Sequence, residues 1–258
     1  MEGAKVVKEF FGREKFDVAV VGGSGIGFVG KELPYSEIPG MPLPKVPGHR
    51  GVLKFKQVGS KEVLFFEGRF HYYEGREDWE IRFIPQLAAA LGVELFVPTC
   101  SSGAVSRKAA RAEVGVITDH INLTGRNPLV GLIEEYGQRV FVNGKKIYDW
   151  EVGENFLRRG LELGIRLVPV VLAAVLGPNY ETFAEVRMLE VLGADCVSMS
   201  TVPEAIAAAF YGMKVCGLTV FTNDATAAEA SHDEVLEVAG RRSRKLAELI
   251  EETLLDLG

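Results

Sequence analysis

Short apolar runs alternate with segments of helical periodicity along most of this chain. The runs that predict strands are residues 17–22, 52–57, 62–67, 94–98, 114–122, 166–175, 194–197 and 214–221. Apolar residues recur at helical spacing over residues 79–91, 153–163, 183–192, 203–211 and 233–257. Strands that alternate with helices in this way are typical of a layered α/β domain, so the pattern predicts the α/β class.

The sequence indicates a single domain over residues 1–258. Prolines at positions 34, 39, 42, 44 and 47 predict an extended loop after the first strand. No internal repeat, low-complexity tract or linker interrupts the sequence. A chain of 258 residues can bury roughly three quarters of its unfolded surface, which suffices for one large core.

Composition and charge exclude several classes of protein. Hydrophobic residues are 47% of the chain and charged residues 25%, which is ordinary for a globular protein and rules out a disordered chain. The longest apolar run, residues 167–177, is shorter than the roughly 18 residues that a membrane span needs, and residues 1–16 lack the apolar core of a signal peptide. A net charge of −6 argues against nucleic acid as a partner. We therefore expect neither a membrane nor nucleic acid as a partner.

The three cysteines, Cys100, Cys196 and Cys216, show no C-x-x-C spacing, and each lies in apolar sequence. We interpret them as buried, reduced thiols of a cytoplasmic protein. The sequence has no H-E-x-x-H motif and no cluster of carboxylates, so we expect no metal site.

A glycine cluster, GGSGIG at residues 22–27, follows the first predicted strand. From Gly25 onward it matches G-x-G-x-x-G, but a proline-rich loop follows instead of a helix, and residues 44–50 lack the acid that a dinucleotide site needs. Glycines still let backbone N–H groups converge on an anion, and the Ser24 hydroxyl adds a donor. A tight turn without a ligand is the alternative.

The segment GRFHYYEG, residues 68–75, lies just past a predicted strand, where α/β proteins place functional loops. If it is extended, Arg69, His71 and Tyr73 point to one side and the two intervening aromatic residues to the other. The Arg69 guanidinium can form a forked pair with a phosphate, and His71 can add a second donor. The segment therefore predicts an anion site; the alternative is a solvated loop whose rings pack on the domain.

Two further segments carry small polar residues. Thr201-x-x-Glu204 is the pattern of a capping box, which places Ser200 at a helix N-terminus, where an anion is favoured. Residues 99–103, which include Ser102, predict a loop with available N–H groups. Each segment alone is also explained by an ordinary cap or turn.

A carboxylate and a carboxamide, Glu181 and Asn223, follow two strongly apolar strands. They can together recognise the edge of a heterocycle, since Glu181 accepts from a ring N–H and Asn223 both donates and accepts. His232 lies in a second capping box, Ser231-x-x-Glu234, where the helix dipole favours a neutral imidazole able to bond a sugar hydroxyl. The alternatives are a helix N-terminal residue for Glu181, a turn former for Asn223 and an exposed His232.

Taken together, these segments resemble the purine nucleoside phosphorylase family, most closely its trimeric branch that prefers 6-oxopurines, with the methylthioadenosine phosphorylases as near relatives. The matching segments are GSG (23–25), VPGH (46–49), GRFHYYEG (68–75), DHINL (119–123), NPL (127–129) with Gly131, GPNYE (177–181), GAD (193–195), MSTVPE (199–204), TN (222–223) and His232. The resemblance implies an α/β fold of three α/β/α layers with a mixed central sheet, like that of the nucleoside phosphorylases.

The resemblance also implies a role for each candidate residue. The residues expected to hold phosphate are Ser24, Arg69, His71, Ser200 and the backbone near Ser102. The residues expected to contact the nucleoside are Tyr73, Tyr180, Glu181, Met199, Asn223 and His232. Those expected to take part in catalysis are His71, Glu181, Asn223 and His232.

The implied reaction transfers the pentose of a purine nucleoside to phosphate and releases the base. The resemblance implies phosphate as a co-substrate, no cofactor, and assembly as a homotrimer or a dimer of trimers. Asn223 favours inosine and guanosine, because the methylthioadenosine branch is expected to carry aspartate there. The alternatives are a phosphorylase for 6-aminopurine nucleosides, which Asp224 would favour, and a non-catalytic nucleoside-binding protein. Residues 132–165 depart from the family pattern in a region that normally lends an aromatic side chain to the neighbouring subunit, which Phe141 or Tyr148 would supply.

Overall fold

A computed structural model describes residues 1–22, 29–226 and 232–257, with the backbone alone at 232–237, 239 and 241. Its strands are β1 (Val18–Gly22), β2 (Lys31–Pro34), β3 (Val52–Val58), β4 (Lys61–Glu67), β5 (Leu95–Ala104), β6 (Val114–Asn122), β7 (Leu167–Ala174), β8 (Cys196–Ser198), β9 (Lys214–Val215) and β10 (Gly217–Asp224). Its α-helices are α1 (Glu2–Phe11), α2 (Asp78–Ile81), α3 (Phe83–Ala90), α4 (Arg107–Ala110), α5 (Ile133–Tyr136), α6 (Trp150–Glu162), α7 (Phe183–Val191), α8 (Val202–Phe210) and α9 (His232–Asp256).

The strands pair in the order β10-β6-β7-β8-β5-β1-β4-β3-β2, with β9 beside β5. β1 lies parallel to β4 and β5, whereas β3 is antiparallel to both β2 and β4, so the sheet is mixed. β10 pairs with β5 as well as with β6. This extra pairing closes β5, β10, β6, β7 and β8 into a ring of strands, which the sequence pattern does not predict.

The strand β1 shows why helices cover both faces of the sheet. Its residues are all buried, and alternate side chains enter two different apolar clusters. Ala19 and Val21 belong to the cluster that includes residues of α1, α3 and α8, and Val18 and Val20 to the cluster that includes residues of α6 and α9. The predicted α/β/α layering around a mixed sheet is therefore confirmed.

The strand β5 is longer than the apolar pattern predicts. The loop predicted over residues 99–103 is wrong, because these residues continue β5 as far as Ala104. Their small side chains fit a strand that pairs with β10 from Thr99 to Ala104 and with β8 at Gly103 and Ala104. The end of β5 therefore places Ser102 where three strands meet.

Other boundaries differ for local reasons. The helix predicted over residues 79–91 is divided into α2 and α3, since Pro85 has no N–H to bond the carbonyl four residues before it. The strand predicted over residues 214–221 is divided at Cys216, and its second part, β10, reaches Asp224. The pattern predicts neither α1 nor β2. The single domain over residues 1–258 stays a prediction.

We expect Gly115→Ala to destabilise the fold. Gly115 lies in β6 between β10 and β7, where a Cβ atom would lie 2.9 Å from side-chain atoms of Phe221, Thr219 and Val170. Overpacking of this kind costs about 1–3 kcal/mol. Denaturant unfolding measures the loss, with Gly144→Ala as the matched control, because nothing in the described part of the chain lies within 4 Å of a Cβ there. Equal free energies of unfolding for the two variants would contradict the prediction.

Candidate active site

One cavity of about 230 Å³ lies where the carboxyl ends of β5, β8 and β10 meet the segment after β4 and the loop after β7. The predicted site residues that line it are Arg69, His71, Tyr73, Ser102, Tyr180, Glu181, Met199, Ser200 and Asn223. The fold thus brings together residues that are far apart in the sequence. Ser24 and the side chain of His232 lie outside the described residues, so their roles stay predictions.

Arg69 lines this cavity although only 1% of it is exposed. Its Nη1 donates to Thr201 Oγ1 at 3.0 Å and lies 3.2 Å from Glu204 Oε2. Its Nη2 donates to the backbone carbonyls of Val21, at 2.9 Å, and of Thr99. The forked pair expected between this guanidinium and a phosphate is therefore not available in this structure, since both terminal nitrogens already have acceptors. The Nε–H has no hydrogen-bond partner among the described residues.

The capping box predicted for Thr201 and Glu204 is wrong. Thr201 precedes α8, but its side chain makes no capping hydrogen bond, and its φ of +72° is unusual for a β-branched residue. Both side chains face Arg69, and Glu204, which is only 3% exposed, also accepts from the backbone N–H of Thr201. Leaving a buried guanidinium without acceptors costs more free energy than leaving a helix end uncapped. The Thr201 side chain therefore bonds Arg69 and does not cap α8. Burial raises the pKa of the Glu204 carboxyl, and Arg69 opposes that shift.

Glu74 fixes the orientation and the tautomer of His71. Its Oε1 accepts from the backbone N–H of His71 at 2.7 Å and lies 3.1 Å from His71 Nδ1, while its Oε2 accepts from the Lys45 N–H at 2.9 Å and from Arg76 at 3.1 Å. Burial opposes ionisation, but the hydrogen bonds from His71 and Lys45 lower the pKa of Glu74 to about 2. An ionised carboxylate only accepts, so Nδ1 carries the hydrogen.

His71 is therefore an acceptor towards a ligand while its ring is neutral. Burial lowers the pKa of His71 below its ordinary value, which keeps the ring neutral at neutral pH and leaves Nε2 unprotonated. The donor expected at this position requires protonation of the ring.

The segment that carries these residues is not extended throughout. Tyr72–Glu74 forms a 3₁₀ turn, yet Arg69, His71 and Tyr73 all line the cavity, while Phe70 and Tyr72 are buried in the core. The predicted division into a site face and a core face is correct, and the alternative of a solvated loop is wrong.

His49 lines the cavity as well, although the sequence leaves its role open apart from the VPGH resemblance. Its ring centroid lies 5.2 Å from that of His71, and the Tyr73 ring stacks on His71 at 4.6 Å. Its Nδ1 is 3.3 Å from both the backbone N–H and the carbonyl of Arg69. Burial, with smaller contributions from His71 and Arg69, lowers the pKa of His49 to about 4, so this ring is also neutral at neutral pH.

Two serines add hydroxyl groups near the ends of β5 and β8. Ser102 is 3% exposed, and its Oγ accepts from Thr219 Oγ1 at 2.7 Å. Ser200 Oγ lies 3.4 Å from Ser198 Oγ, which donates to the Ser101 carbonyl at 2.9 Å. The predicted polar set of Arg69, His71, Ser102 and Ser200 therefore surrounds one cavity.

Asn223 lies in β10 directly after a change of register, not in a turn. Its Oδ1 accepts from the Thr222 hydroxyl at 3.0 Å, which leaves the Nδ2 hydrogens to donate elsewhere. The next residue is differently engaged, because Asp224 Oδ1 accepts from the backbone N–H and the hydroxyl of Thr226, at 2.9 and 2.6 Å. Asp224 does not belong to the described lining of the cavity.

Glu181 supplies a carboxylate to the same cavity, and burial raises its pKa above the ordinary value. The neighbouring Tyr180 is 59% exposed. Gly177 has a φ of +73°, and a Cβ at this position would collide with the side chain of Met199. A glycine is therefore needed there for Met199 to reach the cavity.

The described residues show neither a membrane-spanning helix nor a cluster of metal ligands. Over residues 1–22, 29–226 and 232–257, no helix is long and apolar enough to cross a membrane, and His, Cys, Asp and Glu side chains do not gather in threes as metal ligands would. The three cysteines are buried free thiols. A site without metal or cofactor stays a prediction, as does the cytoplasmic location.

Comparisons with known proteins cover nearly the whole chain. A family model described as the phosphorylase superfamily matches residues 17–255. Purine nucleoside phosphorylase 1 of Bacillus subtilis is 38% identical over 231 residues, which are 86% of this chain and 85% of that protein. The chain belongs to the purine nucleoside phosphorylase family. The Bos taurus member of this family is 37% identical over 250 residues, which are 90% of this chain and 86% of that protein.

A solved structure supports the same assignment. A Schistosoma purine nucleoside phosphorylase in complex with guanosine matches with a TM-score of 0.90 at 28% identity, covering 100% of this chain and 96% of that one. The nucleoside phosphorylase fold predicted from the sequence is confirmed. The prediction of an enzyme, a purine nucleoside phosphorylase, is confirmed as well.

Proposed function

We propose that this purine nucleoside phosphorylase acts on 6-oxopurine nucleosides, inosine and guanosine, with inorganic phosphate as co-substrate and no cofactor. The observation that carries the proposal is a single cavity in which Arg69, His71 and Ser200 accompany Glu181 and Asn223. The first three suit an anion, and the last two suit the edge of a purine.

These residues fit the charges that develop during phosphorolysis. As the N-glycosidic bond breaks, positive charge grows on the sugar and negative charge on the departing purine. A phosphate held beside Arg69 stabilises the sugar cation and then forms the new bond to its anomeric carbon. Asn223 Oδ1 accepts from Thr222, so the hydrogens on Nδ2 are available to a ligand. Nδ2 donates to purine N7 and stabilises the leaving base. Groups fixed in advance lower the barrier because they do not reorganise during the reaction.

The choice of base follows from Glu181. Hypoxanthine and guanine present an N–H at ring position 1, which a carboxylate accepts, whereas adenine presents a lone pair there. An acceptor that faces a buried acceptor is costly, so 6-oxopurines are favoured. The 6-amino alternative relied on Asp224, whose carboxylate is engaged by Thr226. A non-catalytic binder of neutral nucleosides has no need for the anion-binding residues.

We also propose that the enzyme is cytoplasmic and assembles as a homotrimer or a dimer of trimers, with Phe141 entering the neighbouring site. Phe141 is 73% exposed, and Val130 and Ile133 close by in the sequence are exposed at 66% and 55%. The other candidate, Tyr148, donates to or accepts from His120 Nδ1 at 3.0 Å and packs edge-on against that ring. Of the two candidates, Phe141 therefore gains more from burial against a partner subunit.

The function is tested by ultraviolet absorbance of inosine, guanosine, adenosine and methylthioadenosine, each with and without phosphate. We expect base release from inosine and guanosine in the presence of phosphate alone. Release without phosphate would indicate a hydrolase. Tight binding of inosine without release would favour the non-catalytic alternative, and faster release from adenosine would favour the 6-amino alternative.

Asn223→Asp is expected to raise kcat/KM for adenosine relative to inosine by roughly tenfold, because a carboxylate accepts from the 6-amino edge and repels the 6-oxo edge. Steady-state kinetics with the two nucleosides measure the ratio. The matched control is Asp224→Asn, the adjacent residue that bonds Thr226. An unchanged ratio in Asn223→Asp would contradict the role given to Asn223.

Phe141→Ala is expected to raise the KM for inosine by about tenfold with a smaller change in kcat, since a buried aromatic contact to the nucleoside is lost. Leu161→Ala is the control, because Leu161 is an apolar residue that is 81% exposed on α6. Sedimentation of both variants reports the assembly. A normal KM in Phe141→Ala, together with a raised KM in Tyr148→Ala, would overturn the assignment.

A further inference from the structure

The five N–H groups of Arg69 are unequally engaged. Nη1 donates to Thr201 Oγ1, and Nη2 donates to the carbonyls of Val21 and Thr99. Glu204 Oε2 lies 3.2 Å from Nη1 as an ion-pair partner, and it accepts no hydrogen bond from the described residues. The Nε–H is buried and has no hydrogen-bond partner among the described residues, although Arg69 lines the cavity. A buried donor without an acceptor is costly, and a ligand that supplies the acceptor removes that cost.

We propose that Glu204, helped by Thr201, is a positioning residue for the anion subsite: it holds the terminal nitrogens of Arg69 inward, so that the Nε–H is the donor left for phosphate. The inference rests on the proposed function, since it assumes that the anion is phosphate. It gives a role in the anion subsite to a residue outside the described lining of the cavity.

The charge of Glu204 distinguishes it from the other acceptors of Arg69. The carbonyls of Val21 and Thr99 and the Thr201 hydroxyl are neutral, whereas Glu204 Oε2 lies 3.2 Å from Nη1 and is 3% exposed. An ion pair with so little solvent around it is screened weakly, so the carboxylate governs where the guanidinium rests. Without that charge, the guanidinium is held less firmly in the orientation that presents the Nε–H to the cavity.

The local chain links this pair to a second side of the subsite. Ser200 lines the cavity, Thr201 follows it, and Glu204 lies in the first turn of α8. The positive φ of Thr201 sets the direction in which the chain enters α8 and so places its side chain and that of Glu204 against Arg69. The short segment 200–204 therefore fixes the position of the Ser200 hydroxyl relative to the Arg69 guanidinium.

The test is Glu204→Gln, which keeps an oxygen that can accept from Nη1 and removes the charge. Steady-state kinetics with phosphate varied at saturating inosine, and the reverse, separate the two KM values. We expect the KM for phosphate to rise by about tenfold, which is the change that follows from weakening the charge-assisted hydrogen bond between Arg69 Nε–H and phosphate. The KM for inosine should change by less than about twofold.

The matched control is Glu113→Gln. Glu113 also holds a cation, Lys245, at 2.5 Å, but it does not belong to the described lining of the cavity. Both KM values should stay at the wild-type level in this variant. An unchanged phosphate KM in Glu204→Gln, or an equal rise in both KM values, would overturn the inference, because a purely structural ion pair would affect both substrates alike.

A second pair of variants keeps the inference testable if Glu204→Gln does not fold. Thr201→Ala removes the hydroxyl that accepts from Arg69, and Thr201→Ser retains it. We expect a larger rise of the phosphate KM in Thr201→Ala than in Thr201→Ser, and equal values would count against the role of this contact.

Thermal unfolding separates failure of this inference from failure of the proposed function. If phosphate raises the Tm of the wild-type protein and raises that of Glu204→Gln less, the anion subsite depends on Glu204 even if inosine is not cleaved. Equal phosphate-induced shifts in the two proteins would overturn the inference while leaving phosphorolysis intact. A wild-type protein that binds phosphate but releases no base would overturn the proposed function alone.

Discussion

A positive charge in the protein interior sets the conditions for this site. Arg69 is 1% exposed, and a buried ion that loses its partner typically costs about 3–5 kcal/mol, so acceptors must be brought to it. They come from Val21 in β1, from Thr99 in β5 and from Thr201 and Glu204 at the start of α8. The end of β5 supplies residues to the cavity lining, and α8 begins two residues after Ser200, which also lines it. The charge suited to an anion therefore also fixes the relative positions of the elements that form the site.

A second constraint is the small size of the residues at the end of β5. β5 pairs there with both β10 and β8, and a Cβ at Gly103 would lie 3.2 Å from the Cβ of Ala225. The small side chains allow β5 and β10 to pair closely, which completes the ring of strands. The pairing brings the end of β10, with Asn223, against the end of β5, with Ser102. Asn223 and Ser102 thus line one cavity as a consequence of backbone pairing.

Local periodicity predicts the α/β class and divides alternate residues of 68–75 correctly into site and core, whereas the three layers and most of the cavity lining are implied by the family resemblance. It does not predict contacts made across the fold. The Thr201-x-x-Glu204 pattern indicates a cap, and only the tertiary structure shows the arginine that lies 132 residues from Thr201. Residues 99–103 are typical of a loop by composition, yet pairing on both sides makes them a strand. Phe141 and Tyr148 are distinguished by exposure, which no local pattern contains.

The cavity is less cationic than its residue types suggest, and this has a consequence for the anion that the proposed function assigns to it. Glu204 balances Arg69, and Glu74 accepts from a His71 ring that burial keeps neutral. A fully deprotonated phosphate would place an acceptor opposite the lone pair of His71 Nε2. The contact becomes favourable when one proton is present, either on the phosphate oxygen, which then donates to Nε2, or on the ring, whose pKa rises beside the incoming charge. Under the proposed function, the hydroxyl that the phosphate dianion HPO4²⁻ retains at neutral pH is therefore the group that donates to His71 Nε2.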